Sequence, residues 1–373
     1  MFLLFIGFIL LPFAFLDKII AQNFKKAFVF IVCAFFIFLG GVRWNTGTDW
    51  NAYLYGFNAL KKYSNISEYK FFEWGFSYLN YLIKSLTNSY TIFLLIFTFL
   101  KVYFKFKILI NKEFINYSLF SLFMYYCYSN GDILSTRQAL AVSITFFSTL
   151  FLISNNRLKF FSTVFIAFLF HKSAIFFGFA YFIYYKEFSK KILISSFLSS
   201  MIIGLILLQM NVSDFLINIP IISKISMFQD KIEAYSNSGQ VTYGAIDSTT
   251  TIILGYLKKV FVILPILLNL NLFKKNKVML GLVNILVFGS IIYFILGAVS
   301  SEFKRINGFF EIYEILLVPY LIYNIKYIKL RFLLIVLYLV YSFTRMYSGF
   351  SMFWDLIDPF YTIFDSYNFR NLY

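Results

Sequence analysis

An all-α fold that crosses a lipid bilayer many times is what this sequence predicts, on three observations. Apolar residues fill 60% of the 373 positions and charged residues only 13%. Uncharged runs of helical length recur from one end to the other, where a soluble domain would interleave charge. The 33 Lys and Arg and 17 Asp and Glu stand mostly between those runs, so the net charge of +16 reports topology and not nucleic-acid binding.

Taken in order, the N-terminal MFLLFIGFILLPFAFL lacks the basic start and small-residue cleavage site of a secretory signal, and reads as a retained first span over 2–16. Further spans are expected near 27–42, 90–108, 114–129, 133–153, 158–170, 174–185, 192–208, 257–270, 278–298, 309–323 and 332–347. The total is about twelve helices, several shorter than the roughly 20 residues of a perpendicular crossing. After the turn residues Asn45, Gly47 and Thr48, the apolar Trp50, Tyr53, Leu54, Phe57 and Leu60 recur at helical spacing and predict an amphipathic interfacial helix, with Trp50 against lipid. A second such helix is expected over 74–86. Within 209–256, a short helix around 221–235 and the following SNSGQ suit an outer lid. No repeat or linker divides the chain, so 1–373 reads as one membrane domain.

Orientation follows from the connections. Taken alternately, one set holds 18 basic residues, among them Lys25, Lys101, Lys105, Lys190 and Arg331, against only Asp17, Glu113 and Glu187. That set is expected to be cytoplasmic, which leaves 15 basic and 14 acidic residues outside. Segments 43–88 and 209–256, the tail after Ser348 and both termini are then extracytoplasmic.

Ionisable groups near membrane depth are functional candidates because each costs about 2.5–3.5 kcal/mol at a helix centre. Arg137 stands about one turn inside the expected span 133–153, and His171, the one histidine, interrupts FLFHKSAIFF. Arg137 suits anion binding or interhelical pairing; His171 suits a core hydrogen bond, a phosphate contact or proton transfer. In RWNTGTDWNAY, Arg43 ends the second span and Asp49 begins the interfacial helix. Together they make a seat for phosphate, or else a snorkelling arginine beside a helix cap. Lys172 adjoins His171, and Arg305 occupies another outer turn in SEFKRINGFF. Lys258 and Lys259 are expected to begin a span and to pair with Glu311 and Glu314. Cys33 and Cys127 fall inside apolar runs as inert thiols, and His171 has no second His or Cys nearby, so neither a disulfide framework nor a metal site is expected. Nucleotide hydrolysis, zinc proteolysis and serine hydrolysis find no motif.

RWNTGTDWNAY, EWGFSYLN, STRQALAVSI with the basic NNRLKFF turn, and FLFHKSA, in that order over about 41–185, resemble the EpsG family of Wzy-type bacterial polysaccharide polymerases. KIEAY, the Arg305 turn and DPFYTIF extend the likeness more loosely. The resemblance implies a metal-independent, cofactor-free glycosyltransferase of the bacterial cytoplasmic (inner) membrane, with a GT-C-like multi-helix fold. Such an enzyme joins undecaprenyl-diphosphate-linked oligosaccharide repeat units of O-antigen, capsule or exopolysaccharide on the outer face. It further implies a flippase and a chain-length regulator as pathway partners. On this footing Asp49 and His171 are the catalytic candidates, Arg43, Arg137, Lys172 and Arg305 bind diphosphate, and Tyr53 contacts sugar. A lipid-linked-sugar flippase, a glycan ligase and a membrane acyltransferase are the alternatives.

Overall fold

The computed structural model describes residues 1–60, 72–134, 137–209, 249–299 and 301–365, and among them the regular structure is helical, apart from one isolated antiparallel bridge between Arg43 and Thr362. The expected outer helix over 221–235, the SNSGQ segment and the KIEAY motif lie outside the described residues. In chain order come α1 (Phe2–Ala14), α2 (Gln22–Val42), α3 (Trp50–Ala59), α4 (Trp74–Leu86), α5 (Tyr90–Leu109), α6 (Ser118–Ser129), α7 (Arg137–Ile153) and α8 (Arg157–Phe170). The helices Lys190–Gln209, Thr249–Leu268, Lys277–Val299, Glu314–Asn324 and Ile328–Ser351 follow. Two compact units result: Met1–Tyr181 with Ile315–Tyr373, and Phe182–Glu314.

Helices have the length and apolarity of a bilayer crossing at Gln22–Val42, Lys190–Gln209, Thr251–Leu268, Lys277–Ala298 and Arg305–Asn324. That is 5 among the described residues, against the dozen the apolar runs suggested. The difference has a physical cause: an apolar run need not be one helix. The expected span 114–129 is a 3-10 turn, Ile115–Tyr117, followed by the 12 residues of α6. Likewise half of 174–185 is 3-10, within Lys172–Phe179, and only Ala180–Tyr184 is α-helical. At 1.5 Å per residue, twelve residues reach only about 18 Å of a roughly 30 Å hydrocarbon layer. α5 has the length, 20 residues, but carries Lys101, Lys105 and Lys107. Phe5, Phe30, Ile31 and Phe38 are exposed on α1 and α2, which fits a surface solvated by lipid. This is a multi-pass membrane protein.

Helices form at both expected places, as α3 and α4. The apolar face of α3, however, meets protein. Trp50 is 4% exposed, with its ring 5.4 Å from that of Trp44 and 5.1 Å from that of Tyr90 at the start of α5. The lipid contact expected for Trp50 is thereby corrected.

α7 and α8 form a helical hairpin. Asn156 caps α8 by accepting from the Lys159 N–H at 3.0 Å, and Asn155 takes the left-handed conformation (φ 51°) that a tight turn needs. The three-residue connection makes the helices antiparallel neighbours, so the start of α7 and the end of α8 lie at the same end of the bundle. α4 packs on that end. A Cβ added to Gly75 would stand 2.7 Å from the Leu169 carbonyl oxygen, so only glycine lets α4 approach α8 this closely.

Candidate functional site

Arg43 follows the last residue of α2 in extended backbone (φ −57°, ψ 146°), and its surroundings are stitched to the C-terminal segment. The Ile363 N–H donates to Val42 O at 2.8 Å, Trp44 N–H to Tyr361 O at 2.9 Å, and Gly47 N–H to Leu356 O at 2.9 Å. Gly47 takes φ +106°, a conformation strained for any side chain, and a Cβ there would meet Arg43 Nη1 at 3.2 Å. Arg43 turns inward: it is 4% exposed, donates from Nη1 to Thr46 O at 2.9 Å, and lies 5.6 Å from the Trp50 ring. Its buried Nε has no hydrogen-bond partner among the described residues. Burial lowers its pKa, opposed by Tyr90, Tyr53 and Asp49. Asp49, at the N-cap of α3, is exposed and makes no capping hydrogen bond.

α7 is described from Arg137 onward. The span was expected to begin at 133, but Ile133 and Leu134 form a bend after the 3-10 turn Asn130–Asp132, so the helix starts later than its apolar neighbours suggested. The Arg137 Nη1 pairs with Glu73 Oε2, and its backbone N–H and Nε both donate to the Tyr53 hydroxyl at 3.4 Å. Its guanidinium carbon lies 4.6 Å from the Phe72 ring and 5.7 Å from that of Phe76. An aromatic box and a carboxylate thus fix the group, while 24% of the Arg137 side chain and 17% of Glu73 stay accessible. Burial raises the Tyr53 hydroxyl's pKa against the pull of Arg137, so Tyr53 stays a neutral hydrogen-bonding group.

His171 caps the C-terminus of α8, half-buried, with Nδ1 2.6 Å from Ser173 Oγ; Lys172 beside it is exposed. Because the α7–α8 hairpin puts Arg137 and the end of α8 on one side, and α4 meets Leu169 two residues after Glu73, His171 shares an end of the bundle with the Arg137–Glu73 pair.

Arg305 belongs to the second unit, where it is exposed on the 3-10 turn Arg305–Asn307. In that unit Lys258 and Lys259 pair with Glu311 at 2.8 and 2.6 Å, and Lys259 approaches Glu314 at 3.8 Å. The ion pairing expected of these residues forms, although the lysines lie mid-helix and do not begin it.

A model of the EpsG family matches residues 26–358, nearly the whole chain, with every candidate site residue inside it. The chain belongs to the EpsG family. EpsG-type proteins are Wzy-like polymerases, so this membrane protein is a glycosyltransferase-type polymerase of polysaccharide synthesis, acting on lipid-linked sugars. No curated protein and no solved structure matches the chain.

Two features of this EpsG protein escaped the sequence reading. Glu73 heads the EWGFSYLN motif, yet nothing in its spacing says that its partner lies 64 positions away. The other is a sealed ion cluster. Lys105 Nζ bonds Asp132 Oδ2 at 2.5 Å, Tyr125 OH donates to the same oxygen at 2.7 Å, and Lys101 Nζ donates to the Asp132 carbonyl at 2.9 Å. Assigning Lys101 and Lys105 to a cytoplasmic connection is corrected: their i, i+4 spacing turns both from α5 into the bundle, where each is at most 1% exposed. Asn130, Gly131 and Asp132 all have positive φ (51°, 59° and 60°), a left-handed turn held by these bonds. The turn leads to Leu134, whose carbonyl lies 3.7 Å from where a Gly47 side chain would begin. The cluster therefore sets the loop before Arg137 against the loop after Arg43.

Proposed function

We propose that this EpsG protein transfers a growing glycan from undecaprenyl diphosphate to the terminal sugar of a second lipid-linked repeat unit, on the outer face of the bacterial cytoplasmic membrane. The observation that carries the reading is the Arg137 guanidinium, clamped by Glu73 and Tyr53 yet partly accessible, at the same end of the bundle as His171. In the reaction an acceptor hydroxyl oxygen bonds to the anomeric carbon of the donor as the bond from that carbon to the diphosphate oxygen breaks. The hydroxyl proton passes to a base, and the lipid diphosphate leaves with the electron pair.

A departing diphosphate needs positive charge fixed in advance, and a guanidinium in a partly desolvated site supplies it with no metal ion. Arg137 takes that role, with Lys172 beside His171 as a further diphosphate contact. Arg43, turned onto Thr46 and Trp50, supports the reading mainly by holding the loop that presents Asp49. Asp49 positions the acceptor, His171 contacts sugar or diphosphate, and Tyr53 borders the sugar. The outer placement draws its support from charge: without Lys101 and Lys105, the expected cytoplasmic connections still hold 16 basic residues against 3 acidic ones.

The deciding experiment gives the purified protein lipid-linked repeat units that already face outward. A polymerase lengthens them without a flippase or chain-length regulator. A transporter leaves their length unchanged, and a ligase or acyltransferase modifies them without extending the repeat; either result would overturn the reading.

A further inference from the structure

Glu73 is the carboxylate bound to the arginine on which the proposed diphosphate site rests, and no role for it was legible in the sequence. We propose that Glu73 is the general base of the transfer, released toward the acceptor when the donor diphosphate competes for Arg137. This rests on the polymerase reading and assigns the group that reading leaves open.

The geometry supports the assignment in three ways. First, Glu73 precedes α4 as its N-cap residue but makes no capping hydrogen bond; its side chain is given instead to Arg137. A carboxylate diverted from a helix N-terminus to a half-buried guanidinium is held for that partner. Second, the guanidinium is fixed from two sides, by Glu73 at Nη1 and by the Tyr53 hydroxyl at Nε. An arginine presents five N–H donors, and a diphosphate arriving there competes with Glu73 for the same charge. Binding of the donor thereby weakens the ion pair and leaves a carboxylate beside the bound substrate.

Third, in a direct, inverting displacement the base and the leaving oxygen stand on opposite sides of the anomeric carbon. A guanidinium with a carboxylate at one edge and a phosphate at another provides such a separation, whereas Asp49 starts a different helix, exposed, with no bond to Arg137. In the step itself the acceptor O–H proton moves to a Glu73 oxygen, the acceptor oxygen bonds to the anomeric carbon, and the lipid diphosphate leaves toward Arg137. Protonated Glu73 then returns its proton to water and re-forms the pair. Nothing beyond donor, acceptor and water is required.

The test measures elongation of outward-facing lipid-linked units by purified wild type, Glu73→Gln and Glu73→Asp, varying donor concentration, with thermal unfolding as a control. Glu73→Gln keeps a carbonyl oxygen for Arg137 but cannot take a proton. It should lower kcat on the order of 100-fold while the donor KM stays equal or falls, because a competitor for Arg137 is weakened. Glu73→Asp, with a shorter arm but an intact base, should recover part of the loss. If Glu73→Gln does not fold, Glu73→Asp decides: a lowered kcat at unchanged donor KM supports the proposal. Wild-type kcat in Glu73→Gln, or in Glu73→Asp where Glu73→Gln does not fold, or a donor KM that rises in step with the loss of kcat, would overturn it and leave the polymerase reading standing. Failure of the wild type to elongate would overturn both.

Discussion

Two ionic clusters in the same unit, Lys101–Lys105–Asp132 and Arg137–Glu73, differ in one respect that separates architecture from chemistry. In the first, the Lys105 and Asp132 side chains are at most 2% exposed, Lys101 is fully buried, and the carboxylate accepts from a lysine and a tyrosine. In the second, about a fifth of each side chain remains reachable. A sealed pair cannot trade its partner for a substrate, whereas a half-open one can. Both sit beside left-handed or extended loops, so burial, not mere ion pairing, tells which cluster faces the reaction.

The largest expected effect breaks the sealed cluster. Asp132→Asn leaves two buried ammonium groups without their counter-charge and should cost about 3–5 kcal/mol of stability, seen as a large drop in unfolding temperature in detergent. The same thermal measurement on Arg137→Ala should show a change several times smaller, since that arginine is partly solvated. Equal shifts in the two variants would erase the distinction between the clusters.

Part of this contrast was legible in the chain. The apolar runs disclosed the membrane class, and the aromatic spacing from Trp50 to Leu60 disclosed α3, because side-chain period follows directly from helix geometry. Arg137 and His171 stood out because polar groups in such runs are costly, and Arg43 and Asp49 as a phosphate seat where a span gives way to the next helix. The number of crossings was not legible, since apolar residues in 3-10 turns such as Lys172–Phe179 carry the same hydropathy as helical ones. Nor was the Arg137–Glu73 bond, which only the packing of α4 against α8 brings about. Lys101 and Lys105 looked like loop charges because a buried lysine is recognisable only once its partner is known.

A moderate effect is expected where the half-open site is held in place. Gly75→Val would put a branched side chain against the Leu169 carbonyl, a backbone atom that cannot swing aside. It should destabilise by about 1–3 kcal/mol and reduce elongation beyond what the stability loss explains, because α4 carries Glu73. Gly349→Ala, with open space around it, should change neither unfolding temperature nor chain length.

An effect on stability alone lies far along the sequence from either cluster. Asp17 accepts from the Leu119 and Phe120 N–H groups at 3.1 and 2.9 Å, at the start of α6, and pairs with Lys25. Burial nevertheless pushes its carboxyl up from 3.8 to about 6. The folded form thus holds the proton more tightly than the unfolded chain, so this contribution is complete below the ordinary value of 3.8 and is lost as pH rises through about 6. Wild-type stability should decline by on the order of 1–3 kcal/mol between those limits. Asp17→Asn should flatten that slope without altering elongation at neutral pH.

The central claim, that Arg137 carries the departing diphosphate, is tested most directly by elongation of outward-facing lipid-linked units with purified wild type and Arg137→Ala at matched folding. A loss of rate on the order of 100- to 1,000-fold in the variant, with its unfolding temperature nearly unchanged, is the expected result. Polymer made by Arg137→Ala at the wild-type rate and length would contradict it.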